Sequence, residues 1–242
     1  MTVRQENSSR ARRALVATRD DLILRSMLRR VGDIPELVLL PVLRAVSEDR
    51  ADVDAGWSAL TAHRVRGPAW ESPQRSWQRR YGQFVSELEW TATELTRHLP
   101  QETVTELVSS AVAARLRRWL RWLLPAFGTV GLVPAGLYPD VMDAGVAFAT
   151  FLVGPIHRVA AEADGTLVYE IPECAMHTST GTGVAQTNSC LMGCKAACES
   201  VFDANSAMPL EFEPHLPGLS CTLRVHPAGP NRMITTVRRG HE

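Results

Sequence analysis

Lysine is almost missing from this chain. Lys195 is the only one among 26 basic residues, the rest being arginine, a bias that a GC-rich genome produces without any functional demand. Net charge is missing too: 26 acidic residues balance the basic ones, so nothing global draws the chain to nucleic acid or an anionic membrane surface. The opening stretch, MTVRQENSSRARRALV, has no apolar leader, which makes a cytoplasmic protein the expectation. Residues 122–139, WLLPAFGTVGLVPAGLYP, lack charge but hold three glycines and three prolines; that argues against a membrane helix and for a buried hairpin or pocket wall. No glycine-rich phosphate loop, no recognisable Ser-His-Asp motif and no HExxH is present. Cysteines number only five. An odd count in a reducing compartment makes disulfides improbable and points to metal or redox chemistry.

What is present suffices for a core: 45% of the 242 residues are hydrophobic, enough to fold without staples. Residues 1–12 read as a disordered arm and 13–31 as a helix ended by Gly32. A second helix is expected from Pro35, a favoured first-turn residue, bent at Pro41. In 76–98, Trp77, Tyr81, Phe84, Val85, Leu88, Ala92 and Leu95 recur at helical spacing. In 101–124, Leu116, Trp119, Leu120 and Leu123 share one arc, and Arg115, Arg117, Arg118 and Arg121 occupy the other. That arginine face is either a solvated surface or a dock for an acidic partner such as an acyl carrier protein. Residues 140–153 predict another apolar helix, stopped by Gly154-Pro155.

The texture then changes. GTLVYEIP (165–172) and LEFEPHLPGLSCTLRVHP (210–227) read as strands separated by turns. The expectation is therefore an α+β fold: a mainly helical part over 13–153 and a small cysteine-rich α+β module over 154–242.

Cys190, Cys194 and Cys198 stand four apart in NSCLMGCKAACES (188–200), bracketed by Cys174 and Cys221. A continuous helix puts three such sulfurs on one face but spreads the outer two by about 12 Å along its axis. Gly193 suggests a break just before Cys194, with Cys190 folding back over the start of a helix that carries Cys194 and Cys198. Thiolate ligands suit zinc or iron–sulfur, and structural zinc sites favour short cysteine pairs. Buried thiols acting as small apolar residues are the alternative.

The sequence FLVGP (151–155), IPEC (171–174), CLMGCKAAC (190–198), MPLEFEP (208–214) and LSC (219–221) resembles the plant-type β-carotene isomerase family of strigolactone biosynthesis (the "dwarf twenty-seven" type) and its bacterial relatives. All five cysteines find counterparts in order, over about residues 140–227; the helical N-terminal part shows no such likeness. Two departures border the site. The segment AMHTSTGTGVAQTNS between Cys174 and Cys190 is longer than usual and expected as a loop, and the stretch from Cys198 to Pro209 is shorter than usual.

The resemblance implies an iron-containing enzyme that interconverts trans and cis double bonds of a conjugated polyene. The substrate would be carotenoid-like or an unsaturated acyl chain on a carrier protein. The implied ligands are Cys174, Cys190, Cys194, Cys198 and Cys221, holding iron or an iron–sulfur cluster, 4Fe–4S in the first place, with zinc less favoured. One cysteine exceeds the four ligands of that cluster, and Cys174, separated from the run of three by a long loop-like segment, is the expected spare. Phe127, Leu132, Phe148 and Phe151 are candidates to line the polyene slot, or are ordinary core. His177 and His215 flank cysteine segments and are the favoured catalytic histidines; His157 and His226 lie near turns, and nothing selects Asp203 or Glu173 as a base. The competing readings are a non-catalytic iron–sulfur or zinc protein, serving as electron carrier or interaction module, and an iron-dependent oxidoreductase.

Overall fold

The computed structural model describes residues 32–68, 70–120, 135–147, 150–177, 183–204, 206 and 208–227. The expected arm, the helix over 13–31, residues 122–134 with Phe127 and Leu132, and Phe148 all lie outside them, as do the side chains of Phe151 and Trp119 and all of Arg121.

The fold is α+β. A π-helical turn over Pro35–Leu39 leads into α1 (Leu40–Val46). Helical residues already precede Pro35, so this proline does not open the helix. Pro41 has no N–H to donate, and the wider π turn, in which Leu40 N–H reaches the Pro35 carbonyl, absorbs the mismatch. The helix α2 (Arg50–Ala62) starts at Asp49, whose carboxylate accepts from Asp52 N–H at 3.0 Å. Helix α3 (Pro73–Thr96) is capped by Ser72 and begins on proline. Its seven expected apolar positions are all buried. Helix α4 (Gln101–Leu120) buries Val104, Val108, Val112 and Ala113. Deleting a fully buried side chain such as Leu88 would cost roughly 2–5 kcal/mol.

A 3₁₀ turn, Ala135–Leu137, opens α5 (Tyr138–Ala147), and α6 (Thr150–Val153) follows. Then come β1 (His157–Ala161), β2 (Leu167–Ile171), α7 (Val184–Asn188), a π-helix over Ser189–Lys195, α8 (Ala196–Val201), β3 (Leu210–Pro214) and β4 (Cys221–Val225). The strands form one antiparallel sheet in the order β1-β2-β4-β3. Strand β1 was not expected, because HRVAA has no apolar alternation; it is exposed throughout and bulged between Arg158 and Ala160.

Two apolar clusters organise the molecule. The first joins α1, α2, α3 and α4 and takes in Met192 and Ala197 from the cysteine-bearing helices. The helical part and the cysteine segment therefore share one core across the boundary expected at 153/154. The second lies on the sheet: Leu167, Tyr169, Leu223 and Val225 with Met142 of α5. Lys195 and Glu199 tie the two together. Lys195 Nζ donates to the Phe212 carbonyl at 2.6 Å, and Glu199 Oε1 accepts from Phe212 N–H at 2.6 Å and from Lys195 at 2.9 Å.

Gly154 holds a positive φ of +92°, and a Cβ there would meet the Glu173 carbonyl oxygen at 2.9 Å. Both facts demand glycine, and the approach fixes the backbone immediately before Cys174. Gly154→Ala is expected to lower unfolding stability by about 1–3 kcal/mol, read as a shifted urea midpoint with unchanged slope.

Candidate metal centre

Cysteines arrive from three parts of the fold. Cys174 follows β2, and its N–H donates to Leu219 O at 2.8 Å. Cys221 opens β4, in register with Ile171 of β2 and Pro214 of β3, so the two thiols sit at one end of the sheet. Cys190 and Cys194 lie on the π-helix and Cys198 on α8.

The helix does not break at Gly193. It runs without interruption from Val184 to Val201. Gly193 instead admits α3: a Cβ there would lie 3.6 Å from Leu88 Cδ2 and 3.7 Å from Phe84 Cε1. Cys190 consequently does not fold back over a helix start. The π-helix offers another solution to the spacing. In an α-helix four residues overshoot a full turn by about 40°; in a π-helix, where Ala196 N–H reaches back five residues to Leu191 O, four residues fall short of a turn. The opposite errors offset, and the sulfurs stay on one stripe. The segment 175–189, expected as a loop, is helical from Val184: α7 packs on α3, and buried Gln186 donates to Gly218 O at 2.8 Å, tertiary contacts that override a Gly/Ser/Thr-rich composition.

The thiols feel one another. Burial pushes Cys174 up to about 11, with a contribution from Cys194. Burial pushes Cys190 to about 12, with Cys194, Cys174 and Cys221 adding to it. Cys221 is likewise raised to about 12 by burial, then by Cys194 and Cys174. Cys194 hydrogen-bonds Cys198, which raises Cys194 and lowers Cys198. Cys174, Cys190, Cys194 and Cys221 thus form a mutually coupled four, while Cys198 is coupled to Cys194 and shifts none of the other three. The β2–β4 pairing returns Cys174 to Cys221, which places Cys174 within this set although it is distant in sequence from the helix cysteines.

A buried polar group crowns the set. His177 and Cys190 are 3% and 9% exposed, and His177 Nε2 lies 3.2 Å from Cys190 Sγ. Burial lowers the His177 pKa, so the ring is held neutral. Tyr81 meets the imidazole edge-on, with centroids 5.7 Å apart, and its hydroxyl pairs with Ser189 Oγ at 2.7 Å. The Tyr81 phenol is raised by burial first, and then by Cys194, Cys174 and Cys190, so it faces the same sulfurs. Sequence reasoning missed Tyr81 and Ser189. The available signal was a phenol on an otherwise apolar helix face, which needs a partner once buried.

The other expected site residues stand apart. His215 is exposed in the β3–β4 turn, with Nδ1 3.0 Å from Ser220 Oγ and Nε2 3.1 Å from Thr222 Oγ1. His226 contacts Thr166 and Glu211. On the arginine face, Arg115 pairs with Asp33 at 3.4 Å and Arg117 donates to the Ser200 carbonyl, while Arg118 is exposed. Among the described residues no helix is long and apolar enough to cross a membrane.

Among the described residues no three His, Cys, Asp or Glu side chains converge on one metal ion. A tetrahedral zinc with Zn–S near 2.3 Å needs sulfurs within about 4 Å of one another; a polynuclear cluster spreads its ligands farther. A bound cationic cluster would reverse the local pKa logic of these four thiols and favour their thiolates.

In the metal-free protein the sign is clear. Thiols raised from an ordinary 9 to about 11 or 12 stay protonated in the folded state while the unfolded chain ionises. Stability is therefore full below pH 9 and falls as pH rises from 9 toward 12. Urea unfolding with chelator and reductant should give a lower midpoint at pH 10.5 than at pH 8, and replacing Cys190 and Cys221 by alanine should flatten that difference.

Comparison with family models, curated proteins and solved structures returns no match to this chain.

Proposed function

We propose that this protein is an iron–sulfur-dependent cis–trans isomerase of a conjugated polyene, with Cys174, Cys190, Cys194 and Cys221 as the ligands. The observation that carries the cofactor is the mutual influence of these four buried or half-buried thiols, drawn from one end of the sheet and one helix. The reaction rests on the likeness of the five cysteine-bearing motifs to the carotene isomerase family.

When bound, the cluster, with each iron held by one cysteine, would supply a centre able to exchange an electron with the conjugated chain and so lower the order of a C=C bond long enough for rotation. The chain's own contribution is to hold the ligands and exclude water. Met192 and Leu88 close the helical side of the cysteine helix, and the Lys195–Glu199 contact with Phe212 closes the sheet side. Neutral His177 and the Tyr81–Ser189 pair bring polar hydrogens to an otherwise apolar surround. A carotenoid-like substrate is favoured over a carrier-bound one, because Arg115 and Arg117 already have partners within the chain.

Protein purified without oxygen should be brown and contain about four iron and four sulfide per chain. Incubation with conjugated polyenes should yield geometric isomers of unchanged mass. Colourless protein with stoichiometric zinc would end this reading; products of altered mass would replace isomerisation with oxidation; bound iron with no product across carotenoid and carrier-bound polyenes would leave an electron carrier. Cys194→Ala and Cys174→Ala should lose the iron, whereas Cys198→Ala should keep it.

A further inference from the structure

The contact between His177 Nε2 and Cys190 Sγ, 3.2 Å long and buried on both sides, has only one polarity when Cys190 binds iron. A ligating sulfur carries no proton, so the hydrogen of this bond must sit on Nε2. We propose that His177 is an N–H···S donor to the Cys190 ligand and thereby raises the reduction potential of the bound cluster; this rests on the iron–sulfur reading above.

The donor is held from both sides of the site. Its backbone N–H bonds the Cys174 carbonyl at 3.0 Å, which fixes His177 within the turn that presents one ligand. Its ring stands edge-on to Tyr81 at an interplanar angle of 72°. Tyr81 in turn bonds Ser189, the residue before Cys190. A closed circuit therefore runs from Tyr81 through Ser189 and Cys190 to His177 and back. Tyr81 itself is wedged between Trp77 and Phe84, at centroid distances of 5.9 and 6.0 Å, so the circuit hangs on α3. The reduced cluster carries one more negative charge than the oxidised one. An N–H dipole aimed at a ligand sulfur stabilises the reduced state more, and burial strengthens the effect. His177 is on this account a positioning residue that touches a ligand.

The test uses the full chain, purified without oxygen, as wild type, His177→Ala and His177→Gln. All three should carry the same iron per chain. Redox titration should place the midpoint potential of His177→Ala below wild type, with His177→Gln, which keeps an N–H donor, between them. Reduced wild-type protein labelled with nitrogen-15 histidine should show a weak hyperfine coupling, as for an imidazole bonded to a ligand sulfur. A wild-type potential in the iron-loaded alanine variant overturns this proposal alone. A strong coupling, or iron loss in both variants with native circular dichroism, makes His177 a ligand and overturns it too. The absence of any coupling does the same without recourse to a variant. Wild-type protein without iron overturns the parent reading.

Discussion

The helical run from Val184 to Val201 is pinned on two opposite sides, and the site depends on that clamp. On one side Met192 and Ala197 enter the core built by α1 to α4. On the other, the sole lysine and Glu199 seize both backbone groups of Phe212 in β3, and Phe202 O accepts from Leu210 N–H at 2.9 Å. Neither contact involves a cysteine. Together they determine where the cysteine stripe lies relative to Cys174 and Cys221, which are fixed to each other by the β2–β4 ladder. Thiols carried by parts so far apart in sequence can be held in fixed relation only by a scaffold of this kind.

Helix α3 was largely legible in the sequence, because its seven apolar positions follow one period and Pro100 lies beyond its end, although the expected start at 76 missed the first turn from Pro73. The strands β2, β3 and β4 were legible from their patterns and turns. Strand β1 was not: its residues carry no buried face, so nothing in HRVAA distinguishes a paired edge from a loop. The helix α7 was hidden by glycine, serine and threonine, and forms because Gln186 finds a buried place against α3 and the Gly218 carbonyl.

Around the cysteines, sequence misjudged the local arrangement. Gly193 is ambiguous in one dimension: the same residue can break a helix or let two helices approach, and only the proximity of Leu88 and Phe84 decides. The π-helix was equally hidden, since its geometry reflects packing on both sides more than local propensity. His177 was noticed as a neighbour of Cys174, yet its imidazole meets Cys190, thirteen residues on. Tyr81, over a hundred residues from Ser189, belongs to a stretch outside the recognised motifs altogether.

The Lys195–Glu199 grip on Phe212 also bears on self-association. An open sheet has two flanks that can recruit a foreign strand. On the β3 flank the central N–H and carbonyl are already occupied by side chains of the same molecule, so a newcomer would have to displace an ion pair to add there. The β1 flank is guarded differently, by a bulge and by Arg158 paired with Asp143. The sheet that carries Cys221 is thereby shielded at both borders from templating longer ribbons.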